Sequence, residues 1–453
     1  MDITFLGAAQ GVTGSKFLVN FDDEHQVLFD CGLFQGLKEL RLRNRANPEL
    51  DPKNLTAIVL THAHLDHSGY VPLVVKKGFK GPIYTTPGTL DLCKILLPDA
   101  GYIQEEEARF ANKHKFSKHH PALPLYTLEE AKASLNYFKP KPYNEEFELF
   151  PGCKVTFHRV GHILGASYVQ VDYQGKRIVF SGDVGRLNDF LMKPPEALCQ
   201  TDYLLIESTY GDRKHDEDDP MEELAAVVNR TIKRGGVLII PSFAVGRTQS
   251  ILYLLTQLRK QNKIPRVPIY LNSPMATSAT KLFCQHPEDH LLSEAECQDI
   301  NSDVHFVKDT EASIALNAKS EPMIIVAGSG MATGGRVIHH IKHFGGDPKN
   351  TILFVGYQAA GTRGQAMLQG AKEIKIHGAY VPIRAEVALI DNLSAHADYP
   401  DIINWIKEAK MNPKKVFIVH GEPGAQDHLR LRLQDEFNWD QVVIPKLGES
   451  FTL

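Results

Sequence analysis

The sequence contains no Cys-x-x-Cys pair; its six cysteines (Cys31, Cys93, Cys153, Cys199, Cys284 and Cys297) are scattered. That usage argues against a disulfide framework and predicts reduced thiols in a cytoplasmic protein. Long hydrophobic runs are missing too. The longest, such as Val237-Leu238-Ile239-Ile240, fall far short of the roughly 20 residues that cross a bilayer, so no membrane association is expected. There is no excess of positive charge: the net charge is -4. This argues against a general polyanion-binding surface, and any nucleic-acid contact must come from a local cluster. The stretch Met1-Asp2-Ile3-Thr4-Phe5-Leu6-Gly7 has neither a basic nor a long apolar region, so no secretion signal is expected. Repeats and low-complexity tracts are also lacking, which argues against a solenoid or a disordered tail. What remains is a chain of 453 residues, 43% apolar and 23% charged. Those values suit a globular protein of two domains or one elaborated domain.

The most informative stretch is His62-Ala63-His64-Leu65-Asp66-His67, directly after Thr56-Ala57-Ile58-Val59-Leu60. The apolar run is β-branched and too short for a helix, so it predicts a buried strand. Four metal-ligand side chains in six residues then sit where a strand ends, on a rigid backbone that can aim them at one point. Imidazole with carboxylate suits zinc or another first-row divalent ion. A packed core rarely holds so many ionisable groups together without a partner.

Other strand ends repeat the arrangement. Val27-Leu28-Phe29 runs into Asp30, which reads either as a turn former or as an acid holding a ligand imidazole by its second nitrogen. Residues 155–160 run into His162, and Arg177-Ile178-Val179-Phe180 runs into Ser181-Gly182-Asp183. Taken singly, each reads as structural; with the opening cluster they complete a site of three imidazoles and an aspartate able to bridge to a second ion. Tyr203-Leu204-Leu205-Ile206 ends in Glu207, and an acidic tract over 212–219 reads as a domain junction. Strands and helices then alternate, predicting a parallel sheet with both faces covered. Strand-end chemistry returns at Ser394-Ala395-His396-Ala397, after a strand over 387–390, and at His420-Gly421-Glu422, after Lys415-Val416-Phe417-Ile418-Val419. The second domain therefore reads as an insertion within the first. Helices are expected over 92–97 and 127–138. The basic run over 112–120 reads as a solvated connector, and its histidines, lacking a supporting strand, are not counted as ligands.

The ordered set Asp30, His62 to His67, His162, Asp183, Glu207, His396 and His420 resembles the β-CASP branch of the metallo-β-lactamase superfamily over essentially the whole chain. Pro241-Ser242-Phe243-Ala244-Val245-Gly246-Arg247 and Gly328-Ser329-Gly330-Met331-Ala332-Thr333-Gly334-Gly335-Arg336 also look like loops of that family's inserted domain. The resemblance implies an α/β fold: a metallo-β-lactamase αββα sandwich over 1–208 and 386–453, with a parallel-sheet β-CASP domain inserted over 209–385. It implies two zinc ions, with manganese as an alternative. One is held by His62, His64, His162 and Asp183, the other by Asp66, His67, Asp183 and His420, with Asp30 behind them. It implies hydrolysis of a phosphodiester by a hydroxide held between the ions. His396 would be the general acid, Glu207 its carboxylate partner, and Asp66 a member of the reacting set.

In the family, His at the last motif goes with action on RNA, so single-stranded RNA is the expected partner. Ser394 to Ala397 resemble the stretch that holds a terminal phosphate in the bacterial J-type ribonucleases, which suggests 5′→3′ exonuclease action. Endonuclease action, as in the nuclease subunit of the mRNA 3′-end cleavage factor, stays open, as does homodimerisation. Ser394 and Ala397 are thus candidate substrate contacts. Arg247, Arg336 and Arg363 are candidate phosphate contacts that read equally well as structural arginines. Competing readings are a DNA nuclease, a small-molecule ester or thioester hydrolase, an interaction protein with a dead site, and a di-iron redox protein. The complete ligand set argues against the dead site, and nothing in the sequence suggests a flavin domain.

Overall fold

The computed structural model describes residues 1–46, 50–115, 120–216, 218–359 and 361–453. Part of the basic run over 112–120 and Glu217 of the acidic tract therefore lie outside the described residues. The chain divides into two compact units, Met1–Lys214 with His396–Leu453, and His215–Ala395.

The first unit holds two seven-stranded sheets. One runs in the order Ser450–Thr452, Asp2–Phe5, Phe17–Asn20, Gln26–Phe29, Leu55–Val59, Ile83–Thr85, Phe138–Pro140. The other runs Val442–Val443, Lys415–Ile418, Tyr203–Ile206, Lys176–Phe180, Ser167–Tyr173, Cys153–Arg159, Phe147–Phe150. Alternate side chains of both sheets meet in one core, including Phe5, Phe17, Val27, Phe29 and Val59 from the first and Val169, Phe180, Leu205 and Phe417 from the second. Phe29 stacks on Phe180 with ring centroids 3.9 Å apart, a contact worth about 0.5–1.5 kcal/mol beyond its buried area. Helices cover the opposite faces: Pro87–His114 touches Phe138–Pro140, and Pro423–Phe437 touches Lys415–Ile418 and Val442–Val443. The architecture is αββα.

Pro87–His114 runs well past the expected 92–97 and takes in Asn112 to His114, which were expected in a loop. Its start is set by Thr86, whose side chain accepts from the Thr89 N–H, and by Pro87 in the first turn. Buried positions cluster from Gly88 to Gly101, after which Glu105, Glu106 and Glu107 continue the helix with little apolar stripe, Ala111 being buried further on. Good helix formers without amphipathic periodicity are easily missed by pattern. The segment expected as one helix over 127–138 instead makes a capped helix at Leu128–Ser134 and a 3₁₀ turn, Leu135–Tyr137. A strand then begins at Phe138.

The inserted unit has a six-stranded parallel sheet, ordered Val304–Phe306, Ile269–Asn272, Met323–Ala327, Val237–Pro241, Thr351–Val355, Glu386–Ile390. Its central strands are buried along their whole length, as strands covered on both faces should be. Three expectations differ from the structure here. Residues 386–395, expected in the first domain, belong to the inserted unit, because Glu386–Ile390 completes its sheet by pairing with Thr351–Val355. Residues 209–214, expected in the insertion, belong to the first unit. Cys284 and Cys297, expected as reduced thiols, form a disulfide. Cys284 follows the helix Pro274–Phe283, and Cys297 lies on the buried side of Glu294–Asp303. The packing brings their Cα atoms to 5.9 Å, a separation a disulfide spans and one that no local motif announces. The other four cysteines are free. Among the described residues, no helix is long and apolar enough to cross a membrane.

Candidate metal centre

Strand ends position the ligand-type side chains. Leu55–Val59 is a core strand that ends just before His62; His64 precedes the helical turn Leu65–Ser68, which carries Asp66 and His67. The Asp30-Cys31-Gly32 turn lies directly against that turn, with Cys31 N–H donating to His67 O at 2.7 Å. A Cβ at Gly32 would fall 1.6 Å from Asp66 O, so only glycine permits the approach. In the second sheet, Lys176–Phe180, Tyr203–Ile206 and Lys415–Ile418 are parallel neighbours. Asp183, Glu207 and His420 therefore emerge from the same end of adjacent strands, where α/β sheets place their sites. His162 follows the strand Cys153–Arg159, and a Cβ on Gly185 would come within 2.2 Å of its N–H. Asp30, His162 and His420 have φ of 55°, 60° and 49°. Positive φ is uncommon for residues other than glycine, and three of the ligand-bearing turns adopt it.

Two groups of atoms result. In the first, His62 Nε2 and His162 Nε2 lie 3.2 and 3.1 Å from His64 Nδ1, and each lies 3.4 Å from Asp183 Oδ2. In the second, His67 Nε2 lies 3.2 Å from Asp183 Oδ1, and His420 Nε2 lies 3.4 Å from Asp66 Oδ2. Ligand bonds of about 2.0–2.1 Å in a tetrahedron give edges of about 3.3–3.4 Å, so the first group has the spacing of a zinc ligand set and the two contacts of the second match such an edge. Asp183 offers one oxygen to each group. Its Oδ1 is buried and accepts no hydrogen bond, as befits an atom reserved for a cation.

In the first group the protonation states agree with metal binding. Burial pushes the His62 and His162 imidazoles below their ordinary pKa and His64 down to about 3, leaving lone pairs free. Burial works against the Asp183 anion, but His420, His67 and His62 hold it well below the usual carboxylate range. Asp66 is likewise held low against burial, chiefly by its bond to His420. His67 alone is raised, because Asp183 and Asp30 outweigh its burial.

Further contacts orient the ligands. Asp30 Oδ2 lies 2.7 Å from His67 Nδ1, and Thr61 donates to Asp30 through its N–H at 2.8 Å and its hydroxyl at 3.0 Å. Thr61 Oγ1 is also 3.1 Å from His62 Nδ1. Ser15 Oγ lies 3.3 Å from His67 Nε2, and Thr209 Oγ1 lies 3.1 Å from His420 Nδ1. Sequence reasoning missed Thr61, Ser15 and Thr209. Their only signal is adjacency, to His62 and Glu207 for the two threonines, and hydroxyl residues are too common for adjacency to mark them.

His396 stands beside the first group, with Nε2 4.0 Å from Asp183 Oδ2. Its Nδ1 lies 3.1 and 3.2 Å from the two oxygens of fully buried Glu207. Glu207 also accepts from Val184 N–H at 2.6 Å and Thr209 N–H at 3.2 Å. Ala397, a candidate substrate contact, is fully buried, and its N–H donates to Val184 O at 2.7 Å, so that donor is already committed to the fold. Ser394 is buried and belongs to the inserted unit. Arg247, Arg336 and Arg363 also belong to that unit, and each donates to at least one backbone carbonyl there. Arg247 donates to Val355 O. Arg336 donates to Asn272 Oδ1 at 2.8 Å and Val307 O at 3.2 Å. Arg363 donates to Lys375 O at 2.7 Å and Thr333 O at 2.8 Å.

Comparison with known proteins agrees with this construction. Residues 11–226 match the family model of the metallo-beta-lactamase superfamily and 248–367 that of the Beta-Casp domain. Residues 380–445 match the Zn-dependent metallo-hydrolase RNA specificity domain. The chain is 36% identical over 458 residues to a ribonuclease of Thermus thermophilus, covering 99% of both proteins. It is 33% identical to the transcription termination factor FttA of Methanosarcina mazei, over 93% of this chain and 67% of that protein. An RNase J-like protein of Methanocaldococcus jannaschii is 31% identical over 88% of this chain and 87% of its own. A crystal structure of a protein of unknown function from Enterococcus faecalis shares the fold, with a TM-score of 0.55, 15% identity and coverage of 100% and 99%. The strand-end imidazoles, the shared aspartate and the inserted parallel sheet thus have one common source: the chain belongs to the β-CASP branch of the metallo-β-lactamase superfamily.

Proposed function

We propose that this chain is a zinc-dependent ribonuclease that hydrolyses single-stranded RNA in cytoplasmic RNA processing or decay. The observation that carries the reading is Asp183 between two ligand groups, with the Glu207–His396 pair beside it. His62, His64, His162 and Asp183 would hold one ion, and Asp66, His67, His420 and Asp183 the other; manganese is the alternative metal. Bound there, such ions supply Lewis-acid stabilisation of phosphoryl charge and acidify water toward neutral pH. The protein's part is positioning and proton transfer. Glu207, buried and held by two backbone N–H groups, accepts from His396 Nδ1 and favours the imidazolium. His396 Nε2 then faces the ligand groups and gives its proton to the departing ribose oxygen. Hydrolysis leaves a phosphate on one fragment and a hydroxyl on the other. The match to an RNA specificity domain and the resemblance to a ribonuclease over nearly the whole chain support RNA as substrate.

The test incubates metal-loaded protein with 5′-phosphorylated, 5′-hydroxyl and circular single-stranded RNAs and with the matching DNAs. RNA is expected to be cut and DNA spared. Cutting of the circle identifies endonuclease action, and dependence on a 5′-phosphate identifies the exonuclease. His396→Ala is expected to slow cleavage about 10²–10⁴-fold with metal content unchanged. RNA left intact with zinc present, or His396→Ala cutting as fast as wild type, overturns the reading. Turnover of a thioester without nuclease activity would replace it.

A further inference from the structure

Thr209 lies between the two halves of the centre. Its backbone N–H donates to Glu207 Oε2 at 3.2 Å. Its hydroxyl donates to the carbonyl oxygen of His420 at 3.3 Å. A hydroxyl has one proton; given to that carbonyl, which can only accept, it makes the remaining contact, 3.1 Å to His420 Nδ1, one in which Thr209 accepts. His420 must then carry its proton on Nδ1, which leaves the lone pair on Nε2, the nitrogen 3.4 Å from Asp66 Oδ2. Without that acceptor the Nδ1 proton is left to Asp183 Oδ1, 3.5 Å away, which would turn the ring and draw on an oxygen the ions need. The surrounding backbone makes the contact rigid. Ser208 N–H donates to His420 O at 3.1 Å and Ser208 Oγ to Val419 O at 2.7 Å, so two parallel strand ends are laced together at this point.

From this geometry we infer that Thr209 is the positioning residue of the second ion. Its hydroxyl fixes the His420 tautomer and ring orientation and so sets the affinity of the Asp66–His67–His420 group, while its N–H independently holds Glu207. The inference rests on the two-ion reading above but not on the substrate. Outer partners of this kind typically govern metal affinity 10- to 100-fold.

The test measures zinc bound to the full chain, by elemental analysis and by competition with a chromophoric chelator, and repeats the titration with Co²⁺ to follow its visible spectrum. Thr209→Val keeps the shape and the N–H but removes the hydroxyl; Thr209→Ser restores it. The expected result is one ion at wild-type affinity and a second about 10- to 100-fold weaker in Thr209→Val, with Thr209→Ser close to wild type. Wild-type affinity for both ions in Thr209→Val, an equal loss of both, or no rescue by serine overturns the proposal. A wild-type chain that binds one ion overturns the two-ion reading and this proposal with it. Loss of RNA cleavage as the substrate reading leaves the metal titration intact.

Discussion

Both units bury histidine, and they use it differently. In the inserted unit, His340 is fully buried with both ring nitrogens bonded: Nε2 accepts from Asn272 at 2.6 Å and Nδ1 donates to Asn317 at 2.7 Å. Asn272 donates to Ser313 and accepts from Arg336, so the network closes on itself. In the first unit, His62, His67 and His420 each commit Nδ1 to Thr61, Asp30 or Thr209 and turn Nε2 toward other ligand-type atoms. A buried imidazole whose two nitrogens both end in amide partners is a structural part. One held at Nδ1, with Nε2 turned among carboxylates and other imidazoles, is a ligand. The distinction lies in partners rather than in burial or residue type.

The sharpest way to break this comparison is Asp183→Asn, which weakens an oxygen used by both groups. Loss of both ions and a fall in RNA cleavage exceeding the roughly 100-fold of an outer partner are expected, read by metal analysis and product formation. Retention of both ions would remove the aspartate from the centre. Asp30→Asn comes next, since it leaves His67 in place but alters its Nδ1 partner. Metal affinity should fall about 10- to 100-fold, and an unchanged chelator titration would argue against the role.

The third expectation concerns the closed network. Burial, reinforced by His339, His343 and Arg336, brings the His340 pKa down to about 4 from an ordinary 6.5. The unfolded chain therefore takes up the proton first as pH falls. The stability due to neutral His340 is complete above pH 6.5 and drains away toward about pH 4, at about 1.4 kcal/mol per pH unit. Urea unfolding of His340→Gln should show a correspondingly shallower acid slope, and an identical slope would refute the assignment. The smallest effect belongs to the surface. Arg230 and Arg234 both meet Glu386 at 2.6 Å in partly exposed positions, and Arg230→Ala should cost less than about 1 kcal/mol in the same unfolding experiment.

The grouping of the centre was legible because its signals are local: His62 to His67 follow a recognisable strand, and Asp183, Glu207 and His420 each stand at a strand end. What was not legible depends on contacts between distant segments. Thr61 and Thr209 gain their meaning only once Asp30 and His420 lie beside them. The boundary near residue 386 was missed because a strand reads the same whichever sheet receives it, and Glu386–Ile390 joins Thr351–Val355. Cys284 and Cys297 meet through helix packing that leaves no spacing rule. The long helix was cut short because half of it lacks an apolar stripe.

The parallel pairing of Tyr203–Ile206 with Lys415–Ile418 also sets a schedule for synthesis. At 5–20 residues per second, the roughly 200 residues between them take about 10–40 s to emerge from a ribosome. Throughout that interval the growing chain already carries Glu207, while the strand leading to it presents an open edge. The inserted unit, whose own sheet needs none of the later residues, can fold in the meantime. His396 and His420 arrive only afterwards, so the centre cannot be completed until the inserted unit has been made.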